Sequence, residues 1–369
     1  MSMRRWAVLL LLLGFAWPAL AVKSLTIGQM EDLLAKLEGK ADGKVAGELG
    51  ELQLTERVSA ARLTRWEAKF PGDRARRELI KLADRSAFLD PPAADVLRDP
   101  PPDQNTQRHM LWMAEQYAGA ALSRLPDLIA TRETTHFEAN SSRTGDAVGG
   151  GIAPMQWTSV SSRTVTYRNG SEVASGGADK QEPELGVTTN GEFGPIVAQI
   201  LSDASEGQVG FQGQVGFERW EQGPSEPAAV FHYAVPEDAS HFEIGIMIDG
   251  RVQTMHPAYH GEIAIDPETG AILRLSEIAE MTPPLEGLRA AIAVEYAPVA
   301  IGDRNCMCPV RGVAFSRIPT PSAGAASRTQ ATPDPSQWPI KTHLNDVAFR
   351  QYQVFRPDAR SVAGGETGR

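Results

Sequence analysis

Cysteine is nearly absent from this chain: the 369 residues hold 2, Cys306 and Cys308, so no disulfide framework organises the fold. On a strand, residues two apart lie ~6.5–7 Å from one another, at or beyond the reach of an unstrained bridge. Two small side chains on one strand face is the simplest reading of Cys-Met-Cys; a strained redox pair and an intermolecular bridge are the alternatives. With no His or Cys partners at ligand spacing nearby, a structural zinc site is disfavoured. Basic blocks are missing too. The chain has 36 Lys and Arg against 46 Asp and Glu, a formal charge of −10, which argues against nucleic acid and against docking on anionic lipid. Beyond the first 21 residues no apolar run approaches the roughly 20 residues that cross a bilayer.

Catalytic signatures are also lacking. No Gly-x-Ser-x-Gly turn is present, and the glycine-rich stretch 145–151 lacks the Lys-Ser/Thr of a phosphate loop and the strand-to-helix setting of a dinucleotide site. His256 and His260 have H-x-x-x-H spacing, but Pro257 between them opposes the helix that would align both rings on a metal. His232 and His241 would join them only if a sheet gathered all four. We therefore expect no enzyme, no cofactor and no metal, and assign no catalytic residue.

What is present begins with an export signal. Arg4 and Arg5 precede the apolar run Trp6 to Ala16, and Pro18 comes before Ala19-Leu20-Ala21, a small-x-small cleavage pattern. Cleavage after Ala21 implies a periplasmic or secreted protein with no transmembrane segment in the mature chain.

Residues 22–89 carry helical periodicity in short pieces. Thr26 and Gln29 fit a capping box ahead of Ile27, Met30, Leu33, Leu34 and Leu37. Asp42 is a candidate cap for a second helix, Thr55 or Ser59 for a third with Leu63 and Trp66, and Asp73 for a fourth with Leu79 and Ile80. This segment is either a cap on the strand-rich remainder of the chain or a docking module for an envelope protein. The proline-rich stretch 90–102 reads as a linker, and 103–125 as one long amphipathic helix.

From 128 onward the pattern is strand-like, with runs at 128–138, 155–168, 208–221, 228–235, 241–248, 259–265, 271–278, 288–296, 306–317 and 344–355, and one helix at 195–205. Asn169-Gly170 is a two-residue hairpin signal, and Asp266-Pro267-Glu268-Thr269-Gly270 a longer one. Gly-Gln-Val-Gly-Phe occurs at 207–211 and again at 213–217, an even shift that a strand tolerates without exchanging its faces. Residues 319–338 and 357–369 read as a flexible loop and a disordered tail, so the last strand, returning after the loop, is expected at an edge or as a closing strand.

The apolar parity of the strands selects ten candidate residues for lining a hydrophobic ligand: Phe231, Tyr233, Ile244, Ile246, Ile263, Ile265, Leu273, Leu275, Val294 and Tyr296. The covering helices are too few for so wide a sheet, which must curl on itself, leave a cavity, or be packed throughout.

Residues 261–275, Gly-Glu-Ile-Ala-Ile-Asp-Pro-Glu-Thr-Gly-Ala-Ile-Leu-Arg-Leu, resemble a hairpin of the lipoprotein-carrier superfamily of the bacterial envelope. The order of the preceding helix, the 165–170 hairpin and the late strands is similar over 103–356. The resemblance implies an α+β fold in which a strongly curved antiparallel sheet, a half-barrel, wraps one or two helices around an apolar cavity. It implies a lipid, acyl chain or lipoprotein as ligand, and binding without catalysis.

Overall fold

The computed structural model describes residues 23–141, 155–168, 171–173, 195–206, 215–223, 226–248, 251–281, 288–319 and 340–355. The expected signal peptide at 1–21, residues Asn169 and Gly170, the first copy of the duplicated pentapeptide, residues 320–338 of the expected loop and the expected tail at 357–369 lie outside these residues. Among the described residues, no helix is long and apolar enough to cross a membrane.

Four helices come first: α1 (Ile27–Leu37), α2 (Asp42–Gly50), α3 (Ala60–Lys69) and α4 (Asp73–Arg85), with strands β1 (Lys23–Leu25) and β2 (Leu52–Leu54) paired in parallel. The Thr26 hydroxyl accepts from Gln29 N at 3.3 Å while the Gln29 side chain accepts from Thr26 N at 3.0 Å, so the capping box forms as expected. Ser59 caps α3. Asp42 does not cap its own helix, whose N-cap is Ala41; its carboxylate accepts from Arg74 N and Ala75 N at 3.2 and 2.8 Å and so caps α4 across space. That leaves Asp73 in the first turn of α4, where its charge suits the helix dipole.

Among the described residues the body is an antiparallel sheet of 11 strands. Its strands are β3 (Val96–Leu97), β4 (Leu128–Ser141), β5 (Gln156–Arg168), β6 (Ser171–Val173), β7 (Val215–Gln222), β8 (Pro227–Val235), β11 (Tyr259–Ile265), β12 (Ile272–Ala279), β13 (Arg289–Ile301), β14 (Arg304–Pro319) and β15 (Ile340–Val354). They lie in the order β3-β7-β8-β11-β12-β13-β14-β15-β4-β5-β6. A separate hairpin joins β9 (Ile244–Ile248) to β10 (Arg251–Met255). The fold is thus α+β and dominated by the sheet, but the sheet is neither closed nor strongly curled, and the half-barrel expected from the hairpin does not form. Two further expectations are corrected. The proline-rich stretch 90–102 contributes β3, which pairs with Glu221 and Trp220 of β7, so it is more than a spacer. Of the two places expected for the last strand, the edge is excluded: β15 joins β14 to β4 inside the sheet, in a register that no local signal encodes.

Around the central strands both faces of the sheet are covered, which removes the need to curl there. Neighbouring residues of β13 divide between the two layers, as alternation requires. Ile292 and Val294 pack with Met110, Leu111 and Ala114 of α5 (Gln104–Arg124) and with Ile196, Ile200 and Leu201 of α6 (Pro195–Glu206). Ala293 packs instead with the layer of α1–α4, together with Val313, Leu344 and Phe137.

Between α1–α4 and the sheet lies a buried ionic layer. Arg57 meets Glu221 at 2.6 Å and Glu262 at 3.8 Å; Glu262 also accepts from Arg219 and Arg274 at 2.7 Å each. Burial works to raise the Glu262 carboxyl, but bonds from Arg219 and Arg274 outweigh it and bring it down to about 2. Arg311 of β14, fully surrounded, pairs with Asp84 of α4, with Asp346 at 3.2 Å and with Glu295 at 3.3 Å. Ala60 N donates to Glu295 at 2.8 Å, which ties α3 to the same layer.

Candidate functional site

The hairpin β11–β12 positions two candidate sites among the described residues, a cleft and a buried polar cluster. Its turn closes as the sequence requires: Gly270 adopts φ +73°, its N–H donates to Asp266 O at 2.9 Å, and the Asp266 carboxylate accepts from Glu268 N and Thr269 N at 2.9 and 3.0 Å. Past the turn, Ala264 pairs with Arg274 but Ile265 pairs with Ile272, so Leu273 is the extra residue of a β-bulge. The bulge resets the alternation. Ile272 and Leu275 enter the core, while Leu273 stays half-buried.

Leu273 lines a partly open cleft of about 270 Å³ together with Tyr117 of α5, Pro227 at the start of β8, Ala271, Pro298 of β13 and Met307 of β14. Pro298 and Met307 are direct cross-strand partners and form one wall. Glu226, Asp266 and Thr269 supply the polar part of the lining. Nothing in this set pairs a nucleophile with a base.

The other candidate residues sit deeper. Phe231, Tyr233, Ile244, Ile263, Ile265, Leu275, Val294 and Tyr296 are all buried in the core shared with α5 and α6. Ile246 lies on β9 opposite Gln253. Tyr233 is not purely apolar lining: its ring crosses Gly261, its direct partner on β11, and its hydroxyl donates to Ser276 O at 2.6 Å. A Cβ on Gly261 would stand 1.8 Å from that carbonyl oxygen.

Under α6 lies a polar cluster that the strand pattern did not reveal. Asp203, 1 % exposed, accepts from the Tyr259 hydroxyl at 2.7 Å and from His241 N at 2.9 Å, and its other oxygen lies 2.7 Å from His241 Nδ1. Glu277 of β12, equally buried, has one carboxylate oxygen without a hydrogen-bond partner. Burial, reinforced by the charge of Asp203, pushes the Glu277 carboxyl up to about 8, so it is mainly protonated at neutral pH. A signal was available: Glu277 shares the parity of Leu275 and Ala279, both core residues.

The histidines are not gathered. His232 pairs with Glu218, His241 with Asp203 and His260 with Glu280, each on a different carboxylate. Among the described residues no cluster of His, Cys, Asp or Glu has the geometry to hold a metal ion. Cys306 and Cys308 are both free thiols, Cys308 buried and pushed up to about 12 by desolvation and by Cys306 beside it.

Comparison with protein-family models, with curated proteins and with solved structures returned no match.

Proposed function

We propose that this is an exported, non-catalytic binding protein that holds a single apolar chain in the cleft between α5 and the β11–β12 hairpin. The observation that carries the reading is the wall of Tyr117, Leu273, Pro298 and Met307 around about 270 Å³ of space beside the core shared with α5 and α6. That volume is just below the roughly 300 Å³ at which small-molecule pockets begin, so one short chain fits and a multi-chain lipid does not. The site is therefore not the deep half-barrel cavity implied by the lipoprotein-carrier resemblance. Two acidic residues, Glu226 and Asp266, belong to the lining, which favours a ligand with a neutral or cationic head. Capture of an envelope protein by residues 22–89 ranks second, because the apolar stripes of α1–α4 are turned onto the sheet.

The test is calorimetric titration of the mature chain with decylamine and decanoic acid. Saturable binding, tighter for the amine and lost in Leu273→Trp at an unchanged denaturation midpoint, supports the reading. No binding of either probe, or equal binding by Leu273→Trp, rejects it.

A further inference from the structure

The two ends of the sheet are protected differently. At one end β3 has 2 residues and proline neighbours, which makes it a poor template for another strand. At the other end β6 covers Thr166 to Arg168 of β5. The outer edge of β5 from Gln156 to Arg163 has no strand partner among the described residues. Residues 156–162 are exposed on both faces.

This edge lacks the features by which sheets discourage pairing. From Gln156 to Tyr167 there is no Asp, Glu, Lys or Pro, and Arg163 is the one charged residue. Two of the few exposed large apolar side chains of the described structure lie here, Trp157 at 42 % and Val160 at 48 %. A bulge puts both on one face: Trp157 pairs with Phe137 and Val160 with Thr135, two residues apart on β4. Arg77 of α4 stacks on the Trp157 ring at 4.0 Å and holds it in place.

We propose that this edge joins a second copy of the chain, β5 against β5, antiparallel about Val160. The sequence is close to self-complementary around that point. Val160 meets its own image, Ser159 meets Ser161, and the hydroxyl side chains of Thr158 and Ser162 flank them, pairings that favour antiparallel strands. A two-fold axis through Val160 makes the contact isologous and closed, so it ends at a dimer. Local neutrality matters because each copy carries a formal −10, and an acidic edge would oppose association. One strand per partner buries less than the roughly 1,200 Å² of a stable interface, so the dimer is concentration-dependent.

Sedimentation velocity of the mature chain across a concentration series tests this without any variant. A monomer–dimer equilibrium for the wild type, lost in Val160→Lys at an unchanged denaturation midpoint, supports the proposal. A monomer at every concentration overturns it, and so does a dimer that survives Val160→Lys. Val160→Cys with Cys306→Ser and Cys308→Ser gives a second readout. Residues directly opposite lie roughly 4.5–5.5 Å apart at Cα, inside disulfide range, so oxidation should link Cys at 160 to itself but not Trp112→Cys in the same background. Equal cross-linking at both positions overturns the register.

Discussion

The Tyr259 hydroxyl donates to the Asp203 carboxylate at 2.7 Å, joining the first residue of β11 to the covering helix α6 within an apolar core. A buried carboxylate is tolerated there because the backbone N–H and the ring of His241 complete its shell. Tyr259→Phe keeps the ring and removes the hydroxyl donor. The loss of one bond to a charged group costs about 1.5–3 kcal/mol. Urea denaturation should show it as a lower midpoint at constant slope, and an unchanged midpoint would mean that the bond adds nothing to stability.

Glu277 makes stability depend on pH in an unusual direction. Its carboxyl is raised from the ordinary 4.5 to about 8, so the folded state holds a proton that the unfolded state has lost over that interval. Stability from this group is complete below 4.5 and falls as pH rises to about 8. The slope approaches ~1.4 kcal/mol per pH unit. Glu262 acts elsewhere: its carboxyl is lowered to about 2, so its contribution is present above 4.5 and fades as pH falls toward 2. Glu277→Gln should remove the neutral-pH slope and stabilise the protein most near pH 8. Denaturation midpoints of both proteins across pH 5–9 decide it; parallel profiles contradict the assignment.

The ionic layer predicts a different kind of failure. Arg311 is the cation shared by Asp84, Asp346 and Glu295, the first two of them buried with it. Burial, then the charge of the neighbouring Asp346, raises the Asp84 carboxyl, which would be uncompensated without the arginine. Arg311→Leu should cost about 3–5 kcal/mol, the usual penalty for removing one partner of a buried pair. Adding Asp84→Asn should recover part of that loss. A double-mutant cycle by urea denaturation measures the recovery, and additive losses would show that the two residues do not interact.

How far the sequence reaches can be judged on particular residues. The faces of Ile263 and Ile265 follow from parity, as does the capping box at Thr26, because both signals are local. Leu273 does not, since a one-residue bulge inverts alternation and leaves no mark in composition. Asp203 escapes a reading by pattern because charged residues in helices are ordinarily outward-facing, whereas Glu277 carries a signal in the parity it shares with Leu275 and Ala279. Here α6 covers them, and a polar cluster replaces solvent. The place of β15 between β14 and β4, and the pairing of Arg57 with Glu221, depend on contacts between distant segments and have no local signature. The open shape of the sheet has the same origin: α1–α4 cover the face that a half-barrel would turn inward or outward on its own.

Gly270 links the hairpin turn to the helix beside the cleft, and its replacement tests that link. A Cβ there would stand 2.5 Å from both the carbonyl carbon and the oxygen of Met113, backbone atoms of α5 that no rotamer change can move aside. The residue also holds φ +73°, where an L side chain is strained. Gly270→Ala therefore combines strain with a backbone clash and should cost more than the ~1 kcal/mol typical of a substitution at positive φ alone. Because α5 must shift to admit the methyl group, Tyr117 moves away from Leu273 and the cleft changes shape. Calorimetry with decylamine should then show weakened binding in Gly270→Ala under conditions where the variant remains folded. Gly47, inside α2 with open space around it, is the control, and Gly47→Ala should raise stability by up to ~1 kcal/mol through helix propensity. If Gly270→Ala were as stable as wild type and bound decylamine as tightly, the turn would not be in contact with α5.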